Sequence, residues 1–162
     1  MKHLKIIVLV ICAIFLTACG AKKSNMLKNT TWKTNDDSQL VFKGKDFYWY
    51  KSADDHKDNY YKGTYKLYIG KDATKYLTND LKEYGVTKEE LEMLYKNSSN
   101  KYYKEENLVV IDAKYTKYLL DGKKQKIKNP KVPMFGFIND EKDYLDVANM
   151  VTGSYYGFTK VK

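Results

Sequence analysis

The sequence predicts a mainly β domain of the α+β class, a small antiparallel barrel or sandwich with an inserted helical hairpin around residues 72–97. Three observations predict it. Short runs rich in β-branched and aromatic residues are broken by turn residues about every 8–12 positions, the spacing of small sandwiches and barrels. The apolar period changes from two to about 3.6 in one central stretch only. No repeat and no linker divides residues 29–162, which are therefore read as one domain.

The elements follow in order. Thr30 to Thr34, around Trp32, opens the domain as a strand, and Asn35-Asp36-Asp37-Ser38 turns it. Gln39 to Lys43 and Asp46 to Ser52 form a hairpin across Lys43-Gly44-Lys45. Alternation along Phe47-Tyr48-Trp49-Tyr50 places Phe47 and Trp49 on one face and Tyr48 and Tyr50 on the other. A polar turn, Ala53 to Asn59, leads to a long strand from Tyr60 to Ile69, in which Gly63 marks a bulge or sharp bend. From Asp72 to Tyr84, the residues Tyr76, Leu77, Leu81 and Tyr84 recur at helical spacing, and Gly85 closes that helix. Thr87-Lys88-Glu89-Glu90 is a capping box opening a second helix, with Leu91, Leu94 and Tyr95, that ends at Asn97 to Asn100.

Strands resume from Asn107 to Ala113, extended toward Leu120, and Asp121-Gly122 is a hairpin turn. Lys124, Lys126 and Lys128 alternate with Gln125, Ile127 and Asn129, the pattern of a solvated edge strand blunted by lysines. Pro130 and Pro133 break the pattern before a strand from Met134 to Ile138. Asp143 to Met150 is ambiguous, and Ser154 to Val161 reads as the closing strand.

The N-terminus has a different character. Lys2 and Lys5 precede an unbroken apolar run, Ile6 to Leu16, of signal-peptide length and short of the roughly 20 residues that span a bilayer. Leu16-Thr17-Ala18-Cys19-Gly20 resembles the bacterial lipobox. The resemblance implies that Leu16, Thr17 and Ala18 are read by the lipoprotein signal peptidase, that residues 1–18 are removed, and that Cys19 carries the diacylglyceryl group. Two acyl chains suffice for stable anchoring. The implied address is the extracellular face of the cell membrane. Residues 19–28 are then a short polar tether spanning roughly 15–20 Å. Its Lys22, Lys23 and Lys28 would gain about 1 kcal/mol each beside anionic lipid. Cys12 leaves with the leader, so no disulfide is expected in the mature chain.

Composition narrows the function classes. All 29 basic residues are Lys, and the formal charge of +9 falls to +7 without the leader, which carries two lysines and no acid. Lys gives a point charge where Arg gives the bidentate fork of phosphate and base-edge recognition. With a secreted address, nucleic acid is not an expected partner. An anionic envelope polymer, anionic lipid or an extracellular protein is. A monomer is expected.

The opening Trp32 strand, Gly63-Thr64-Tyr65 and the final run Thr152-Gly153-Ser154-Tyr155-Tyr156-Gly157-Phe158 resemble lipocalin-like lipoprotein domains of Gram-positive bacteria. That resemblance implies a barrel over residues 30–162. The helical hairpin departs from a simple barrel and leaves closure of the barrel and an internal cavity open.

Catalytic chemistry finds little support. After the leader, His56 is the one histidine and no free thiol remains, which excludes Cys-His catalysis and a His- or Cys-rich zinc site. His56 sits in Asp54-Asp55-His56-Lys57-Asp58, a solvated turn, and no nucleophile elbow surrounds Ser52 or any other Ser. No phosphate-binding or dinucleotide motif is present, and no cofactor is expected. Asp54, Asp55, Asp58 and Asn59 offer oxygen ligands for calcium but lack the loop pattern. Asp46 and Asp112 are candidates for paired carboxylates of a glycosidic hydrolase.

The 16 tyrosines remain the feature most open to function. Tyr48, Tyr50 and Tyr61 form a candidate ligand surface beside lysines, since Tyr joins an apolar ring to a polar tip. Burial beneath core and helical hairpin is the alternative for them. The expected function is a non-enzymatic binding or accessory module at the cell envelope. The alternatives are a carboxylate-based envelope hydrolase and an inhibitor or immunity lipoprotein.

Overall fold

The structure, a computed structural model, describes residues 25–162. The leader and the lipobox residues Leu16, Thr17, Ala18 and Cys19, together with Lys22 and Lys23, lie outside the described residues.

Nine strands form one antiparallel sheet: β1 Thr31–Lys33, β2 Gln39–Lys43, β3 Asp46–Tyr50, β4 Tyr60–Ile69, β5 Leu108–Leu120, β6 Lys123–Lys124, β7 Lys131–Ile138, β8 Tyr144–Asn149 and β9 Tyr155–Lys160. The spatial order is β4-β3-β2-β1-β9-β8-β7-β5-β6, and pairing of β4 with β5 joins the ends. The result is a closed eight-stranded barrel with β6 as an appendage, the lipocalin-like architecture expected, and not a sandwich.

Short-range chemistry sets the turns. Gly44 takes a φ of 63° between β2 and β3. Asp121 and Gly122 both take positive φ, at 51° and 71°, as a tight hairpin with right-handed strand twist requires. Thr87 and Glu90 make both bonds of the capping box at the start of α2, Lys88–Asn97.

The first expected helix differs. Instead of one helix from Asp72 to Tyr84 there are a five-residue α1, Lys71–Lys75, a π turn over Tyr76–Asp80 and a 3-10 turn over Lys82–Tyr84. Thr74 and Thr78 return their hydroxyls to the Gly70 and Thr74 carbonyls, and Asn79 and Asp80 are weak helix formers. Gly85 nonetheless closes the segment in the left-handed conformation, φ 79°.

The expected edge strand from Lys124 to Asn129 is also not formed. Pairing stops at Lys124, the Gln125 amide still reaches the Tyr118 carbonyl at 2.9 Å, and the chain then leaves the sheet. Pro133, expected to precede the strand from Met134, lies within β7 opposite Asp112. The ambiguous segment from Asp143 is β8.

Two cores result. Inside the barrel, Trp32, Leu40, Phe42, Phe47, Ile111, Met134, Leu145 and Phe158 fill one end. Leu27, in the stretch read as tether, is fully buried among them. Outside it, Leu77, Leu81 and Leu91 of the helical segment pack on Leu108, Val110 and Phe137. Sheet alternation explains this arrangement. Val110 and Phe137 point away from the barrel axis and need the helices as cover.

Candidate functional site

The end of the barrel that the interior core does not fill holds a half-open cavity of about 490 Å³. Trp49, Tyr61, Tyr115, Tyr118, Val132 and Tyr156 form its walls, and Lys51, Lys126 and Lys128 stand at its rim. The lining contains no carboxylate. A cavity of this size lined by aromatic groups is in the range that holds a small molecule.

A bulge builds the aromatic wall. On β4, Lys62 pairs with Lys117 while Gly63 pairs with Tyr115, so Thr116 is an extra residue on β5. Strict alternation would put Tyr115 and Tyr118 on opposite faces. The extra residue turns both inward, and the Thr116 hydroxyl ties the bulge to the Lys62 carbonyl at 3.3 Å. Tyr61 then stacks on Tyr118, with ring centres 4.1 Å apart, and contacts Tyr115 at 4.7 Å. Across the cavity, Trp49 meets Tyr156 edge to face at 4.7 Å. Burial, then the neighbouring Tyr118 hydroxyl, pushes the Tyr61 phenol up to about 12. Burial likewise raises Tyr115. These phenols stay neutral at physiological pH.

The rim is shaped by Asn149. Its side-chain carbonyl accepts from the Val151 and Thr152 amides at 2.9 and 3.1 Å, which folds the β8–β9 turn beside the opening. Ile127, in the segment that leaves the sheet, lines the cavity. That segment therefore borders a mouth instead of forming a solvated strand.

The mouth opens at the end of the barrel opposite Asn29. Ser38 and Lys51, at the far ends of β2 and β3, line the cavity. The Gly44 turn at the other end of the same hairpin donates its amide to Asn29 Oδ1 at 3.2 Å.

The three tyrosines singled out from the sequence are not one surface. Tyr61 faces the cavity, whereas Tyr48 and Tyr50 are on the outer wall. Tyr50 is buried, its ring stacked on His56 with centres 4.0 Å apart. Tyr48 is half-buried, stacked on Tyr50 at 5.9 Å, with the Lys43 and Lys62 ammonium groups over its ring at 5.7 and 5.4 Å. The outer Tyr68 stacks on Tyr76 of the helical segment at 3.9 Å, so both the core and the helices absorb tyrosines.

The polar candidates are engaged elsewhere. Asp46 pairs with Lys62 at 3.1 Å, and Asp112 accepts from the Tyr76 hydroxyl at 2.8 Å. Neither lines the cavity. Asp55 is occupied by the Asp58 amide at 3.0 Å and by the Asn59 side chain. Among the described residues no three carboxylate, imidazole or thiol groups gather where a metal ion would bind. His56 is exposed, bonded through Nε2 to Gln39 Oε1 at 3.1 Å.

In the sequence, Trp49 shares a face with Phe47, and nothing there marks Tyr115, Tyr118 or Tyr156 as lining a cavity. In the structure all four line the mouth, and Trp49, Tyr115 and Tyr156 also pack against the interior core. Gly63 was the signal for the bulge, but the phase it imposes on β5 depends on a partner about fifty residues away.

The fold and its mouth define a closed, lipocalin-like barrel with an aromatic pocket at one end. No family model matches the chain, and neither a curated protein nor a solved structure matches it.

Proposed function

We propose that the chain is a lipoprotein anchored through Cys19 at the extracellular face of the membrane, whose barrel holds a small, largely apolar molecule without altering it. The cavity carries this reading. Its walls are aromatic rings, its charged groups are lysines at the rim, and no acid lines it. An apolar body is suited to the walls and an anionic end to the rim. The mouth is at the end opposite Asn29, so a membrane tether from Cys19 leaves it facing outward.

Anilinonaphthalene sulfonate, an apolar ring system with one anionic group, is a suitable probe. Saturable binding with energy transfer from tryptophan is the expected result, and Tyr118→Ala should weaken it about tenfold, the worth of one good aromatic contact. Binding that never saturates, or that ignores Tyr118→Ala, would overturn the pocket. Turnover of a bound envelope molecule would overturn its non-enzymatic character.

The anchor has its own test. Cys19→Ala should abolish labelling by a radioactive or clickable fatty acid and release the protein from membranes. A variant still labelled and membrane-bound refutes the lipobox.

A further inference from the structure

The side wall of the barrel carries a second concavity, outside the barrel and separate from the mouth. Its volume is about 720 Å³. Lys45, Lys66, Lys114 and Lys131 line it, with Thr64 and Asp112 between them.

Strand register explains why so many lysines meet there. On the outer face, Thr64 of β4 lies opposite Lys114 of β5, and Lys114 lies directly opposite Lys131 of β7. Like charges directly across a sheet destabilise it. Partners for these charges are sparse. Lys131 has Glu83 at 3.7 Å, and Lys45, Lys66 and Lys114 have no ion pair among the described residues. Asp112 lies opposite Lys66 in register, but its carboxylate holds the Tyr76 hydroxyl at 2.8 Å. The basic strip continues along the same wall. Lys62 and Lys117 form a second directly opposed pair, Lys62 bridged to Asp46 and Lys117 bonded to the Tyr60 hydroxyl at 2.9 Å.

We propose that this groove binds a linear polyanion that repeats a simple anionic group, for which inorganic polyphosphate is the probe. Four lysines around one hollow, continued by two more along β4 and β5, exceed what a single small anion can occupy. The hollow is concave, so a chain can lie within it between lysines, whereas a planar bilayer would meet only its edges. Lysine ammonium groups act as point charges without the guanidinium fork, which suits repeated simple anionic groups over one shaped ligand. The repulsion among the wall's lysines is relieved when the polyanion is seated. The site is independent of the aromatic cavity.

The test uses the full chain in neutral detergent micelles, titrated with long-chain inorganic polyphosphate. Four engaged lysines predict that the logarithm of the affinity falls with the logarithm of salt at a slope near −3. Lys66→Gln combined with Lys114→Gln should weaken binding about 25-fold, roughly fivefold for each lysine. The pair Lys88→Gln and Lys96→Gln on α2 should leave it unchanged. Both double variants should keep their affinity for anilinonaphthalene sulfonate, which separates this site from the pocket. Lys114→Gln should melt no lower than the parent chain, because it removes a like-charge pair. Absence of binding, equal loss in the two double variants, or equal competition by orthophosphate at matched phosphate concentration would overturn the proposal. So would tight capture by phosphatidylglycerol vesicles that polyphosphate fails to displace, which would make the wall a membrane-facing surface.

Discussion

Gly63→Ala is expected to destabilise the barrel by about 3 kcal/mol, the upper end of what overpacking costs. A Cβ at this position would stand 2.5 Å from the Phe47 ring and 2.9 Å from the Lys114 carbonyl carbon, with the Lys114 oxygen closer still. Phe47 is fully buried, and Lys114 belongs to the strand that closes the barrel, so neither can yield cheaply. The cost should appear as a lower urea midpoint with an unchanged slope. The same change should disturb the bulge that turns Tyr115 and Tyr118 inward, and probe binding should fall with it. A loss below about 1 kcal/mol would mean that the bulge accommodates a methyl group and that the close approach of β4, β5 and Phe47 is not what demands glycine.

Asp146→Ala is expected to cost about 3 kcal/mol or more. Asp146 is almost wholly buried on the outer side of β8, beneath the loop that follows α2. Its carboxylate accepts from the Tyr102 hydroxyl at 3.0 Å, the Tyr103 hydroxyl at 2.8 Å and the Phe137 amide at 3.0 Å. Removing the acceptor leaves those donors unpaired, and a buried orphan donor costs about 1–3 kcal/mol. Burial, reinforced by the Asp146 charge, holds the Tyr102 phenol above its ordinary range, so it remains a donor at any physiological pH. Asp146→Asn should recover only part of the loss, since its amide nitrogen presents hydrogens to groups that are themselves donors. Faster hydrogen exchange at the Phe137 amide in Asp146→Ala is the local readout. Unchanged exchange there would show that the loop is held by its aromatic contacts instead.

The parts of the fold legible in the sequence are those decided within a few residues. The capping box of Thr87 and Glu90, the left-handed Gly85 and the Asp121-Gly122 turn each answer to local geometry, and each is present. Gly63 is legible as a bulge for the same reason. Closure of the barrel is not, because β4 meets β5 across the whole helical segment. The phase of Tyr115 and Tyr118 follows from that distant pairing and from one extra residue, Thr116. Hence the tyrosine surplus was visible while its division between cavity, outer wall and helical cover was not. The lysine run from Lys124 to Lys128 was misread for a related reason. Alternation of charge resembles an edge strand, but with few apolar residues to bury, the segment keeps only the Gln125 amide bond to Tyr118 beyond Lys124 and then leaves the sheet.

The burial of Leu27 has a mechanical consequence. The Leu27 carbonyl accepts from the Thr30 hydroxyl at 2.6 Å, and that hydroxyl in turn accepts from the Trp32 indole at 2.8 Å. A pull applied to the chain ahead of Asn25 therefore loads the floor of the barrel first. The load must draw Leu27 from the interior before it strains β1, which β2 and β9 clamp from both sides. The aromatic mouth, at the opposite end, lies off this line of force. A force applied there would be absorbed by the floor, leaving the shape of the opening undisturbed.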